Sequence, residues 1–311
     1  MNTNFPTVQQ IKERARELRR EYAPRPTQVT LLYWLLGTNI VTLITLGATQ
    51  FLPSNPDTVS APELFLSLLL WLYGTVLLYG YDRWMLWTCR GERLENGALL
   101  DGFSEVGRVV LARIWVVLHL LPWGFLVSLV AVALLYVLMF SMVVYTVEVM
   151  VVLMVMLVVG VYLAIYLIGL RYELTNFLLT EFDQLSPAQA VRRSAELMEG
   201  QIWRLFRLKL SFIGWHLVQM AVTLAISLAV AFAPLKDYLQ SLEEMVDVWT
   251  IMMYAQRLQE VLNGGLVTLL TLVAALPIFL YVTPYQRLAE AEFYTQLVRP
   301  EPEASPWQEG F

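Results

Sequence analysis

The strongest constraint on the fold is a 57-residue stretch, residues 114–170, in which His119 and Glu148 are the only acidic or basic side chains. A soluble domain does not bury so long an uncharged stretch. One helical crossing of a bilayer core about 30 Å thick needs roughly 20 apolar residues, so this stretch fits two crossings. The chain is therefore predicted to be an integral membrane protein.

The overall composition supports the same class of protein. Hydrophobic residues make up 58% of the chain, charged residues make up 15%, and the mean hydropathy is +0.57. Soluble chains carry about 25% charged residues. The net charge of -5 argues against a nucleic-acid partner, which usually requires a basic surface. The single cysteine, Cys89, excludes an internal disulfide framework and leaves too few thiols for a zinc or iron-sulfur site.

Six apolar segments are long enough to cross a membrane. They are residues 29–52, 64–81, 114–140, 147–170, 210–235 and 266–285, with the turn between the third and fourth placed around residues 141–146. We therefore expect an all-α, polytopic fold with an N-terminal segment over 1–28, a six-span membrane domain over 29–285 and a C-terminal segment over 286–311. The end of that last segment is rich in Pro and Glu and is predicted to be disordered.

The positions of Lys and Arg predict the orientation, because positive residues near span ends are retained on the cytoplasmic side. Of the 21 Lys and Arg residues, only Lys236 and Arg257 lie in the three connections assigned to the outer side. Both termini are therefore predicted to be cytoplasmic. We expect a multi-pass protein of a cytoplasmic membrane, with membrane lipids as its surroundings.

Two segments outside the spans have the apolar spacing of amphipathic interfacial helices. The first covers residues 7–22 and has Lys and Arg on its polar side, interspersed with Glu. It is interpreted either as a surface helix that contacts anionic lipid or as a helix that packs against the cytoplasmic loops. The second covers residues 236–264 and is predicted to lie flat in the outer interface.

A third helix, in the cytoplasmic connection before the fifth span, has clear start and stop signals. Ser186 is predicted to cap it, Pro187 suits the first helical position, and Gln189 completes a capping box. Gly200 stands where a helix can end in the left-handed conformation. A basic and aromatic run then leads into the fifth span: Trp203, Arg204, Phe206, Arg207 and Lys209.

The run from Arg193 to Gly200, followed by the run from Trp203 to Trp215, resembles the bacterial integral membrane family catalogued as domain of unknown function 975. Weaker matches lie at Gly102-Phe103 and at Thr283-Pro284-Tyr285. The resemblance implies a six-span protein with cytoplasmic termini, in agreement with the distribution of charge. It brings no reaction, ligand or catalytic residue to these positions.

Two polar stripes lie within the predicted spans, where polar groups are costly and usually face protein or a wet cavity. They are interpreted either as the lining of one intramembrane path or, in the favoured interpretation, as sites of hydrogen bonding within and between helices. The first span contributes Asn39, Thr42 and Thr45, and the fifth contributes His216, Gln219 and Thr223.

No motif for catalysis, cofactor binding or metal binding is present: there is no His-Glu-x-x-His, no phosphate-binding glycine loop and no Gly-x-Ser-x-Gly. The chain is therefore predicted to be non-enzymatic, with no cofactor and no metal. The leading hypothesis is a partner-binding or accessory component that contacts lipid or a membrane-protein partner; the alternative is a small transporter or exporter that uses the two polar stripes. The candidate contact residues are Arg193, Ser194, Gly200, Trp203, Arg204, Arg207 and Lys209.

Overall fold

A computed structural model describes residues 5–51, 61–140, 147–243 and 247–298, and every regular element in these ranges is a helix. The predicted turn at 141–146 and the tail from residue 299 lie outside the described residues. The helices are α1 (Val8–Glu21), α2 (Arg25–Trp34), α3 (Ile40–Phe51), α4 (Ala61–Cys89), α5 (Val106–Phe140), α6 (Val147–Gly169), α7 (Thr175–Glu181), α8 (Pro187–Leu197), α9 (Ile202–Leu210), α10 (Ile213–Val230), α11 (Phe232–Glu243), α12 (Val248–Leu262) and α13 (Gly265–Val298).

Six helical stretches within the described ranges are long and apolar enough to cross a membrane, which confirms the predicted all-helical fold and the number of candidate spans. They are Arg25–Thr45, Ala61–Cys89, Asn96–Leu138, Val152–Glu181, Ile213–Val230 and Gly265–Val298. Several of these stretches continue beyond the apolar segment that identified them. The sixth, for example, was predicted to end at residue 285 but remains helical to Val298.

The packed core of the protein lies at one end of the bundle. This end, which we call the helical head, consists of α1, the start of α5, α7, α8, α9 and the second halves of α4 and α13. Its largest fully buried side chains include Trp84, Tyr79 and Phe177. The spans, in contrast, expose large apolar side chains: Phe125 and Tyr162 are 68% and 73% exposed. Such surfaces are typical of helices that face lipid, where no hydrophobic effect favours covering them.

The approach of α4 to the 3-10 segment Asn96–Glu105 depends on two glycines. A Cβ atom at Gly80 would lie 2.0 Å from the carbonyl oxygen of Leu99, and one at Gly102 would lie 2.8 Å from the carbonyl oxygen of Val76. Neither distance is sterically allowed, and in both cases the obstacle is backbone. These glycines therefore set how closely the start of the third membrane-length stretch packs on the second.

Helix α8 has the predicted termini. The Ser186 hydroxyl accepts a hydrogen bond from the Gln189 backbone N–H at 3.3 Å, and the Gln189 side chain accepts one from the Ser186 backbone N–H at 2.9 Å. Gly200, just after the helix, has a φ of +74°. The capping box and the left-handed glycine are thus both confirmed.

Helix α1 begins with a second capping box, between Thr7 and Gln10. Ile11, Ala15 and Leu18, three members of its predicted apolar side, are buried, and α1 packs mainly along α13. Of its basic residues, Arg19 donates a hydrogen bond to the carbonyl oxygen of Tyr281 at 3.0 Å. The helix therefore contacts the protein through both its apolar side and part of its basic side.

Candidate functional site

Helix α9 divides its basic residues between two environments. Leu205 and Leu208 are buried in the helical head. Lys209 follows Leu208 and also lies inside the head, whereas Arg204 and Arg207 lie on the side that faces the start of α1. Residues three or four apart share a face of a helix, so Leu205 and Lys209 lie on one side of α9 and Arg204 and Arg207 lie on another.

Arg204 and Arg207 line a groove of about 760 Å³ between α9 and the start of α1. We call it the basic groove. Its apolar walls include Phe5, Ile11 and Phe293. The groove therefore combines cationic groups with apolar surface.

Neither guanidinium in the basic groove forms an ion pair within the described part of the chain. The Arg204 guanidinium lies 4.9 Å from the centre of the Phe5 ring and donates to Oε1 of Gln201 at 3.1 Å. Arg207 is exposed, and its Nε donates to the carbonyl oxygen of Trp203 at 3.4 Å. Stacking on the ring holds Arg204 in place but does not neutralise its charge, so both positive charges remain available to an anion.

Lys12 of α1 adds a third positive group beside the groove. Its Nζ donates to the carbonyl oxygen of Ser211 at 3.4 Å and lies 4.7 Å from the centre of the Phe212 ring. Partial burial lowers the pKa of Lys12 below its ordinary value, and the nearby positive charge of Arg16 lowers it further. Both causes disfavour the charged ammonium of Lys12. An anion bound nearby would counter the effect of the Arg16 charge and raise the pKa of Lys12 again.

Five charged side chains meet inside the helical head; we call them the ion cluster. They are Asp82 of α4, Glu173, Lys209 of α9, and Arg287 and Glu290 of α13. Lys209 Nζ lies 2.6 Å from Glu173 Oε1 and 3.2 Å from Glu290 Oε1. Arg287 Nη1 lies 2.9 Å from Glu290 Oε2 and 3.6 Å from the nearer oxygens of both Asp82 and Glu173.

The cluster joins segments that are far apart in the sequence, and it is largely shielded from solvent. The Glu290 side chain is 1% exposed and that of Lys209 is 12% exposed. Burial alone lowers the pKa of Lys209, but the facing carboxylates of Glu290 and Glu173 raise it more, so the net pKa lies above the ordinary value for lysine. Removing one member of such a buried set leaves an uncompensated charge, which typically costs about 3 to 5 kcal/mol.

The predicted contact residues are thus only partly brought together. Arg204 and Arg207 lie together in the basic groove, and Trp203, which is 63% exposed, lies beside them on α9 without lining the groove. Arg193 lies on the exposed side of α8 and pairs with Glu196 at 3.3 Å. Ser194 is buried and donates a hydrogen bond to the carbonyl oxygen of Arg171 at 2.9 Å.

The two polar stripes make different contacts. In the first, Asn39 donates to the carbonyl oxygen of Trp34 at 3.1 Å, at the end of a π-helical turn, and Thr45 donates to that of Val41 at 2.8 Å. Both bonds stay within the first membrane-length stretch. Thr42, and in the other stripe Gln219 and Thr223, are partly exposed on their helices.

The fifth-span stripe reaches the ion cluster through one residue. The His216 ring Nε2 lies 3.3 Å from Gln286 Oε1, and Gln286 Nε2 donates to Glu290 Oε1 at 3.0 Å. Gln286 thus connects His216 of α10 with Glu290, which is itself paired with Lys209. This connection joins two helices that pack along each other, α10 and α13.

Sequence reasoning missed four members of the ion cluster: Asp82, Glu173, Arg287 and Glu290. The predicted second, fourth and sixth spans ended at residues 81, 170 and 285, just before these side chains. An acidic residue directly after an apolar segment is a usable signal, because charged groups at membrane depth usually have a partner. The pairing itself was not predictable from spacing, since it joins separate helices.

Across the described ranges, no group of three or more His, Cys, Asp or Glu side chains is placed to hold a metal ion.

Comparison with known proteins gave one match. A family model described as "Protein of unknown function (DUF975)" matches residues 6–301. It covers almost the whole chain and confirms the resemblance seen in the run from Arg193 to Trp215. No curated protein and no solved structure matched the chain.

Proposed function

This chain belongs to the DUF975 family, and we propose that it is a non-enzymatic accessory protein that binds a partner membrane protein at the basic groove. The observation that carries the proposal is the pair of guanidinium groups, Arg204 and Arg207, that lack an ion pair within the described chain and lie in a groove with apolar walls. A groove that only stabilised the fold would gain by pairing these charges internally.

The groove favours a partner segment that is both acidic and apolar. Arg binds carboxylates through two parallel hydrogen bonds, which gives geometric specificity as well as energy. Phe5, Val8 and Leu210 offer apolar and aromatic surface beside those charges. Aromatic residues and Arg are enriched in the residues that dominate protein interfaces.

The proposal places the groove on the cytoplasmic side of a bacterial cytoplasmic membrane. Its support is the distribution of Lys and Arg, since the segments that form the helical head contain most of the positive charges. Exposed Trp203 near the entry of α10 is of the type that lies at the headgroup level of a membrane. A partner that binds here would therefore approach along the membrane surface.

The test is native mass spectrometry of the full-length protein, extracted gently from its own membrane. The wild type is expected to retain one second protein in stoichiometric amount, and the Arg204→Ala, Arg207→Ala double variant is expected to lose it. A photoreactive side chain at position 203 is expected to cross-link the same protein. The matched control, Arg192→Ala with Arg193→Ala, removes two exposed cations from α8 and is expected to retain it.

Two outcomes would contradict this role. One is retention of the second protein by the groove variant at the wild-type level. The other is a wild-type protein that carries anionic lipid at the groove and no protein partner.

The second candidate function is a small exporter, and the connection from His216 through Gln286 to Glu290 favours it. Histidine serves as a proton shuttle in many proteins, and a hydrogen-bonded chain from a histidine to a buried carboxylate is an arrangement used for proton-coupled movement. In proteoliposomes, His216→Leu is expected to abolish pH-dependent solute flux. Flux with an unchanged pH profile in that variant would exclude the role of His216.

A further inference from the structure

The last helix, α13, ends beside the basic groove. Near the end of α1, Arg19 donates a hydrogen bond to the carbonyl oxygen of Tyr281. Just before the start of α1, the ring of Phe5 contacts that of Phe293, with the two ring centres 5.4 Å apart. The two helices are therefore antiparallel, and the start of α1 lies beside the end of α13. The last helical residue, Val298, is only about 7.5 Å along the helix axis from Phe293, which lines the groove.

The sequence that follows α13 has the composition that the groove favours. We call residues 299–311, which lie outside the described residues, the acidic tail. The acidic tail contains three glutamates against one arginine, and two large aromatic residues: Glu301, Glu303, Glu309, Arg299, Trp307 and Phe311. Glutamate pairs with guanidinium groups through two parallel hydrogen bonds, and aromatic rings bury a large apolar area.

The charge of the groove is opposite to that of the acidic tail. Among the described residues that line the groove, Arg204 and Arg207 are the charged ones, and none is a carboxylate. Arg204 contacts the Phe5 ring and the Gln201 amide, and Arg207 donates to the carbonyl oxygen of Trp203. None of these contacts brings a negative charge to either guanidinium. A glutamate that enters the groove therefore meets two cations one helical turn apart on α9.

The acidic tail also matches the groove in reach and in apolar surface. Position 307 reaches up to about 30 Å from Val298, which is several times the axial distance of about 7.5 Å from Val298 to the groove wall. Three apolar side chains of the groove are exposed or half-buried and offer a ring a surface to pack on: Phe5, Val8 and Leu210. The groove volume of about 760 Å³ accommodates an indole ring together with its neighbours.

Attachment to α13 favours the acidic tail over a free ligand. A segment joined to its site by a short linker binds at an effective concentration in the millimolar range, so a modest intrinsic affinity is enough to fill the site. The prolines Pro300, Pro302 and Pro306 restrict the backbone of the tail, which lowers the conformational entropy lost when it docks. A free acidic peptide or lipid binds without this attachment.

We propose that the acidic tail occupies the basic groove of its own molecule and competes there with the partner protein. The glutamates of the tail pair with Arg204 and Arg207, and Trp307 packs on the apolar surface beside Phe5. A partner segment that is acidic and apolar displaces the tail by offering the same groups. The docking of the tail stands by itself, whereas its competition with a partner rests on the proposed function.

The docking is tested by cross-linking within the full-length protein, purified in detergent without a partner. A photoreactive phenylalanine derivative replaces Trp307 and keeps an aromatic ring at that position. After irradiation, peptide mass spectrometry is expected to find position 307 joined to the start of α1 or to α9, and the product is expected to have the mass of one chain. Cross-links to other helices only, or a product of two joined chains, would overturn the proposal.

Charge reversal tests whether the ion pairs hold the acidic tail. Arg204→Glu with Arg207→Glu is expected to lower the yield of this cross-link about fivefold or more, because two attractive contacts become repulsive. Adding Glu301→Arg and Glu303→Arg to the same chain is expected to restore the yield, which also shows that the reversed groove is folded. An unchanged yield in the first variant, or no recovery in the second, would overturn the proposal.

The matched control for charge reversal lies on α8. Arg192→Glu with Arg193→Glu reverses two exposed cations that do not line the groove, and it is expected to leave the yield at the wild-type level. An equal loss in this control would show that the tail responds to the general positive charge of the helical head, and would overturn docking in the groove.

A separate measurement distinguishes the failure of this proposal from that of the partner-binding role. Glu301→Gln with Glu303→Gln weakens the tail and leaves the groove intact, so it is expected to raise the amount of partner retained in native mass spectrometry. Unchanged retention would overturn the competition. The cross-link to the groove without any retained partner would contradict the proposed function and support the docking, and a retained partner without that cross-link would do the reverse.

Discussion

Lys209 Nζ lies 3.2 Å from Glu290 Oε1, and this contact ties the entry of α10 to the interior of α13. Lys209 belongs by sequence to the same basic run as Arg204 and Arg207. In the structure it is 12% exposed and pairs with two carboxylates, whereas those two arginines line the basic groove. One short helix thus supplies both a structural cation and a pair of available ones.

Lys209→Met is expected to destabilise the protein strongly, because it leaves Glu173 and Glu290 without their shared cation. The expected loss is about 3 to 5 kcal/mol, the usual cost of breaking a buried pair. Thermal unfolding in detergent, followed by tryptophan fluorescence, is expected to show a Tm lower by on the order of 10 °C.

The matched control is Arg192→Met, which removes an exposed pair with Glu196 on α8. That pair is expected to contribute less than about 1 kcal/mol. Equal Tm values for the two variants would show that the ion cluster contributes no more than a surface pair.

Gly80→Ala is expected to disturb the contact between α4 and the 3-10 segment. The added Cβ would lie 2.0 Å from the Leu99 carbonyl oxygen, and a backbone atom cannot move aside as a side-chain end can. The expected destabilisation is about 1 to 3 kcal/mol, as for other overpacked sites. Gly97→Ala is the control in the same segment, since its Cβ would have open space; a wild-type Tm for Gly80→Ala would contradict the close approach.

Ser186→Ala is expected to destabilise α8 by about 1 kcal/mol, because the backbone N–H of Gln189 loses its acceptor. Ser186→Asp keeps an acceptor at the cap and is expected to retain most of the stability. Hydrogen exchange of the first turn of α8 measures the effect directly. Equal protection in the alanine and aspartate variants would mean that the capping box does not stabilise this helix.

The predicted orientation can be tested by cysteine labelling in a Cys89→Ser background. Glu196→Cys on α8 and Trp249→Cys on α12 place thiols at two exposed positions, the second of which is 80% exposed in the wild type. A membrane-impermeant maleimide applied to intact cells is expected to label position 249 and not position 196. The reverse pattern would invert the topology, and labelling of both would contradict a six-span arrangement with this alternation.

Much of the fold was predictable because its signals are local. Apolar segments of sufficient length identified the six candidate spans, and Ser186, Gln189 and Gly200 marked the ends of α8 through side-chain and backbone preferences that act within a few residues. The burial of Ile11, Ala15 and Leu18 in α1 followed from their helical spacing. For the candidate site, the sequence identified Arg204 and Arg207 as a basic pair beside a membrane entry.

The sequence by itself determined where helices form and which residues carry charge, because both properties depend on neighbours along the chain. Only the tertiary structure decided which charges are paired. Lys209 is paired because α13 and the Glu173 segment bring carboxylates to it, and Arg204 and Arg207 are not because the start of α1 brings them mainly apolar surface. Coulomb attraction and hydrogen bonding act through distances in space, and those distances are set by the packing of helices far apart in the chain.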